Sequence, residues 1–379
     1  MKTASLTFAL AALTGSALAG DAFLVYFGCY TNAKTGSKGI YVSKFNSASG
    51  ELGEPALAAE TASPSFLAIH PSRKYLYAVG EMGGADPKAG AVSAFRIGLP
   101  EGGLEPINQV SSVGAGPCHI ALDREARLAM IANYGGGSVA SFPLRADGAL
   151  GEAASFFQHE GSSVDPRRQK GPHGHSINAA PGNRFALACD LGLDQVLIYR
   201  IDPGTGTLSR HGVGRVPAGG GPRHLAFHPN GRFVYVNNEM AMTETVFAWD
   251  GERGALTEVE TVSTLPEADR GKPGLSTAET VVHPNGRFVY VSNRTHDTIA
   301  VFACEPGTGR LTLRANVAAE GEIPRNFSLD PAGQWMIVAH QNSGTAAVFK
   351  IDPQSGVPAF TGRKIQVGGA VCVRFLALD

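Results

Sequence analysis

Neither sign of charge is in excess in this 379-residue chain: 32 Lys and Arg stand against 33 Asp and Glu, for a formal net charge of −1. Nothing global therefore draws it to nucleic acid or to an acidic membrane. Basic stripes interleaved with aromatics are missing too, which argues against a nucleic-acid surface. Cysteine is scarce, with Cys29, Cys118, Cys189, Cys304 and Cys372 scattered, odd in number and without C-x-x-C spacing. They read mainly as small buried residues, with one disulfide left open for an oxidising compartment. There is no G-x-S-x-G elbow, which disfavours a serine hydrolase on an α/β fold. H-E-x-x-H, G-x-x-x-x-G-K and EF-hand patterns are also lacking. Long apolar runs are missing except near the start, where residues 4–13 are too short to span a bilayer. With Lys2 ahead of that run and Ala17-Leu18-Ala19 behind it, residues 1–19 read as a signal peptide and 20–379 as one exported domain.

What the chain does have is glycine (48), proline (23) and repetition. A nineteen-residue pattern starts at 63, 116, 173, 221, 276 and 323, for example GPRHLAFHPNGRFVYVNNE at 221–239 and STAETVVHPNGRFVYVSNR at 276–294. Each copy holds two short apolar runs around a Pro/Gly/Asn turn, the mark of a β-hairpin. A third run follows, as at Gln195–Ile201 and Thr298–Ala303, then turns such as DPGTG and a fourth run. A period near fifty with four strands per unit predicts an all-β, seven-bladed β-propeller with four antiparallel strands per blade. Arg374–Asp379 resembles Ser65–His70, so the C-terminal strand is expected to join the N-terminal blade and close the ring.

The repeat also predicts which residues share one rim. Six places before the turn proline stand Ser65, Cys118, His175, Arg223, Ala278, Arg325 and Arg374; ten places after it stand Cys29, Glu81, Tyr134, Leu191, Glu239, Arg294 and Gln341. His173, His119, His224, Asn238, Asn293 and His340 are their neighbours. Arginines gathered at one mouth imply an anionic ligand, because a guanidinium offers a planar fork to carboxylate or phosphate. Glu81 and Arg374 are read mostly as inter-blade ion-pair formers, and His70, His228 and His283 as turn residues on the far rim. His173-Gly-His175 lacks a third ligand nearby in sequence, so no metal and no cofactor are expected.

At these residues the chain resembles the propeller lactonase family, the 6-phosphogluconolactonase-like proteins that also include fungal carboxymuconate cyclases. The likeness is most specific in GPHGHS (171–176), 221–239, HPNGRFVYVSNR (283–294) and IPRNFSLDPAG (323–333). It implies a metal-independent site, with His175, Arg223, Glu239 and Arg294 at the positions of the family's cleft, acting on a carboxylated or phosphorylated lactone. On that basis His175 or Glu239 is the expected general base and Arg223 the donor to the carbonyl oxygen. His173, His224, Arg325, His340 and Gln341 are the expected substrate contacts. The expected partner is a small anionic lactone, with neither nucleic acid nor membrane, and the expected state a monomer or weak homo-oligomer. Cyclisation of a carboxylated diene acid at the same residues is one alternative; a secreted, non-catalytic propeller binding protein or polysaccharide is the other.

Overall fold

The computed structural model describes residues 22–82, 90–202 and 204–378. The segment read as a leader lies outside them. Seven antiparallel sheets follow one another around a ring. Blades 2 to 7 are each built from four consecutive strands, and their innermost strands are Leu67–Ile69, Pro117–Leu122, Gly174–Ala179, Pro222–Phe227, Ser276–Val282 and Pro324–Leu329. Blade 1 takes its innermost strand, Ala370–Ala377, from the C-terminus, paired with Ala22–Cys29. Its outer position is divided between Glu51–Leu52 and Ala56–Glu60, both paired with Gly39–Asn46. The predicted propeller and its mode of closure are therefore what the chain adopts.

Second strands such as Phe185–Asp190 and Trp335–His340 are buried along their whole length, because a blade is covered on both faces by its neighbours. The core is consequently a series of inter-blade layers, for instance Phe288, Tyr290 and Val301 against Phe327, Val338 and Phe349. Two polar clips recur between blades. Tyr26, Tyr77, Tyr235 and Tyr290 each donate a hydroxyl hydrogen bond to a glycine carbonyl of an outer turn, respectively Gly102, Gly148, Gly309 and Gly356. On the far rim His70, His228 and His283 pair through Nε2 with the carbonyls of Ala126, Gly286 and Gly333. Glycine suits two of these turns: Gly286 has φ +71°, and a Cβ would lie 2.7 Å from the His228 ring.

Closure departs from expectation in register. Tyr26 pairs with Arg374 and Cys29 with Ala370. Arg374 therefore stands partway down the innermost strand rather than at the rim. Its guanidinium lies 4.5 Å from the Phe66 ring centroid and donates to the carbonyls of Leu67 and Val373. Cys29 is fully buried among the blade 7–blade 1 apolar residues, and Tyr30 takes the rim place assigned to it. The Tyr30 N–H donates to Gly369 O, as Tyr134 does to Gly116 and Glu239 to Gly221 in their own blades. The mismatch arises because Ala370–Ala377 lacks the Pro/Gly turn that anchors the alignment elsewhere.

Candidate active site

The innermost strands share one irregularity. Their pairing slips between Pro222 and His224, between Gly174 and Ser176, and between Pro324 and Asn326. In blade 3 Asn133 pairs with Pro117 and Ala132 with His119. The residue skipped each time is Arg223, His175, Arg325 or Cys118. A β-bulge leaves its extra residue out of the ladder and re-aims the side chain. The repeat thus turns these residues into the mouth of the channel, opposite the first residues beyond the second strands, Tyr30, Glu81, Tyr134 and Glu239, and the last residue of Phe288–Arg294.

Glu239 is the hub. It is 4% exposed. Its Oε2 accepts from Arg223 Nε at 3.1 Å and pairs with Arg294 Nη2 at 2.9 Å, and it lies 3.8 Å from His175 Nε2. Oε1 accepts from Arg168 Nη2 at 2.8 Å. Burial alone would raise the pKa of this carboxyl, but the charges of Arg294 and Arg223 with the Arg168 hydrogen bond hold it well below the usual range. Burial pushes Arg294 down to about 10, helped by Arg223 and Arg325 and opposed by Glu239. Arg223 is lowered by burial and by Arg325. Arg325 donates to Tyr30 Oη at 3.0 Å, and that hydroxyl donates to Glu81 at 2.9 Å. Arg223 bonds through Nε and Nη1, Arg294 through Nη2 and Arg325 through Nη2, so each guanidinium keeps at least one nitrogen without a hydrogen-bond partner among the described residues.

Beneath this layer a buried relay fixes Arg223. Its Nη1 donates to Ala278 O and meets His224 Nε2 at 3.1 Å. Because that nitrogen accepts, the His224 proton sits on Nδ1, 2.9 Å from Glu279 Oε1. Glu279 in turn accepts from Asn326 Nδ2, whose Oδ1 accepts from Val373 N of the closing strand. Rings from non-adjacent blades meet across the axis: Phe66 lies 5.4 Å from His224, with His119 4.3 Å from Phe66 and His175 5.5 Å from His224. They close the channel below the arginines. Burial, with the nearby charges of Arg223 and Arg325, holds His175 well below the ordinary imidazole range, so its ring is neutral at pH 7.

A profile of the family described as "Lactonase, 7-bladed beta-propeller" matches residues 24–375. The chain belongs to this family. It is 32% identical over 354 residues to a 6-phosphogluconolactonase of Bacillus subtilis, covering 93% of this chain and 98% of that one. Identity to a 6-phosphogluconolactonase of Formosa agariphila is 30%, covering 91% and 97%. Among solved structures it resembles the periplasmic gluconolactonase of Pseudomonas aeruginosa, with 33% identity, a TM-score of 0.88, and coverage of 94% and 100%. The protein is thus a lactone-hydrolysing enzyme, a carboxylic ester hydrolase.

The lactonase fold brings His175, Arg223, Glu239, Arg294 and Arg325 together as the repeat implied, and His224 beneath them. His173 sits at the edge, stacked on Tyr134 at 4.6 Å with Nδ1 3.0 Å from Tyr134 O. Gln341 lines a neighbouring cavity with Tyr30. His340 is turned away: it is fully buried, with Nδ1 3.0 Å from Thr345 Oγ1 and Nε2 2.7 Å from Ala319 O. The same bracket, from the end of a second strand to a hydroxyl five residues on, is made by Asn133, Asn238 and Asn293. His340 is its imidazole version, because side chains alternate along a strand and only the next position faces the mouth.

Arg168 and Tyr30 went unpredicted. Arg168 comes from the loop between blades 3 and 4 and reaches Tyr134 Oη at 3.0 Å as well as Glu239. Asp165 Oδ1 accepts from the N–H groups of Arg167 and Arg168, and fully buried Gln169 ties the loop to Leu191 O and Asp194. Among the described residues no group of three His, Cys, Asp or Glu is arranged to hold a metal ion, and no helix is long and apolar enough to cross a membrane.

Proposed function

We propose that this lactonase opens an anionic sugar-acid lactone, with His175 as general base and the arginines holding charge. The observation that carries the reading is the crowding of Arg223 and Arg294 on one carboxylate with Arg325 at the same mouth, each with a guanidinium nitrogen left over. Glu239 is too acidic to take a proton from water, whereas neutral His175 is able to. A water within hydrogen-bonding distance of both His175 Nε2 and Glu239 Oε2 would be deprotonated by the imidazole, and the carboxylate would stabilise the imidazolium formed. The hydroxide adds to the lactone carbonyl carbon. Arg223 receives the developing oxyanion, the ring C–O bond breaks, and His175 returns the proton to the departing alkoxide oxygen. Arg294 and Arg325 bind the substrate's anionic group, and later the product carboxylate.

The test is a pH-stat assay on gluconolactone and its 6-phosphate. Arg223→Ala is expected to lower kcat by roughly 10²–10³, the usual cost of losing one oxyanion donor. Arg325→Ala is expected mainly to raise KM for the phosphorylated lactone. Wild-type constants for both variants would remove these roles. Export is part of the proposal. It is supported by the leader-like residues 1–19 and by likeness to a structure named as a periplasmic gluconolactonase.

Stability should carry a matching pH signature. His119, His175 and His224 are all held well below 6.5, chiefly by burial. The unfolded chain binds protons at these histidines near pH 6.5 and the folded chain does not, so stability falls as pH drops below that value. The slope is about 1.4 kcal/mol per pH unit for each histidine. Thermal melts between pH 7.5 and 5.5 are expected to show a falling Tm, less steep in His119→Gln; a Tm independent of pH would contradict neutral buried rings.

A further inference from the structure

A cavity of about 670 Å³ opens between blades 7 and 1 on the same face as the arginines. Tyr30 joins the two regions, since it lines the cavity and accepts the Arg325 hydrogen bond. The wall is mainly polar and contains Lys34, Gln341, Asn342 and Gln366. Among the described residues none of these four side chains has a hydrogen-bond partner, and Gln341 Oε1 is buried without one. Gly368 and Gly369 leave bare backbone at one side, where Gly369 O already receives the Tyr30 N–H.

We propose that this cavity is a second subsite, taking an uncharged polyhydroxyl extension of the lactone: the sugar of a disaccharide aldonolactone whose ring lies at the arginine mouth. The proposal rests on the lactone-opening reading of that mouth, where the arginines would meet the carboxylate released on ring opening rather than an anionic group on the ring. Amide side chains donate and accept at once, which matches sugar hydroxyls, groups that also do both. A phosphate would call for convergent cations, and Lys34 is the one cationic side chain in the lining. The volume is within the range of ~300–1,000 Å³ typical of small-molecule sites and far exceeds a phosphate group.

The experiment compares glucono-δ-lactone with cellobiono-δ-lactone, a pair that differs by one glucose at constant charge. The full chain is expected to prefer the disaccharide lactone about tenfold in kcat/KM, the equivalent of 1.4 kcal/mol. In Asn342→Ala/Gln366→Ala that preference is expected to fall toward parity through KM. Calorimetric binding of gluconate and cellobionate separates the two readings. If neither lactone is turned over but cellobionate binds more tightly than gluconate, the subsite stands and the reading of the mouth falls. Equal kcat/KM and equal aldonate affinity in the unaltered protein overturn the subsite without recourse to any variant, as does a preference that the double variant leaves intact.

Discussion

His175→Gln is expected to lower kcat by roughly 10²–10⁴ with little change in KM, the span typical of a positioned general base. The amide preserves the ring's approximate bulk but cannot take a proton. Its neighbours on both sides explain why the position matters. Nδ1 lies 3.6 Å from the Cys118 thiol, which burial keeps protonated, and Nε2 faces Glu239 across 3.8 Å. Because burial and Arg223 hold the imidazole well below 6.5, the acid limb of kcat/KM should be displaced well to the acid side of the free histidine value. Lactones hydrolyse in water unaided, so the measurement needs enzyme-dependent rates from pH 5 to 7.5. A variant with wild-type turnover, or an acid limb centred at 6.5 in the parent, would remove His175 as the base.

The second large effect is on stability. Glu239→Gln should destabilise the propeller by about 3–5 kcal/mol, because removing one partner of a buried ion pair leaves the opposite charge uncompensated. Here two buried guanidiniums, Arg223 and Arg294, lose their anion together, while the outlying Arg168 is partly solvated and contributes little. Thermal denaturation is expected to show a clear fall in Tm, and inorganic phosphate should restore part of it by filling the vacated charge. Arg168→Ala serves as the control, with a small change in Tm. If Glu239→Gln melts with the parent and ignores phosphate, the charges around it are balanced by something other than this carboxylate.

The disc and most of the mouth were legible because a repeat makes the same local physics recur. Turn chemistry fixed the hairpins, and a constant offset from the turn brought His175, Arg223, Arg325, Glu239 and Arg294 to one end. What failed did so for identifiable reasons. The closing strand has no turn of its own, which displaced Arg374 and substituted Cys29 for Tyr30. His340 lies one residue from the productive offset, and a single step along a strand reverses a side chain. Arg168 arrives on an inter-blade loop whose length and sequence no other unit shares, so no offset could find it. The slipped pairing that turns the mouth residues inward is a backbone event without a residue signature; Cys118, His175, Arg223 and Arg325 have little else in common.

That last property has a consequence for how such a protein acquires new reactions. Because each of these residues stands outside the ladder, its replacement breaks no backbone ladder bond. Serine, cysteine, histidine, alanine and arginine all occupy the corresponding place in one chain, as interchangeable fittings in a rigid frame. Chemistry at the mouth can therefore drift blade by blade without the architecture having to be reinvented, provided that the ions buried there still balance.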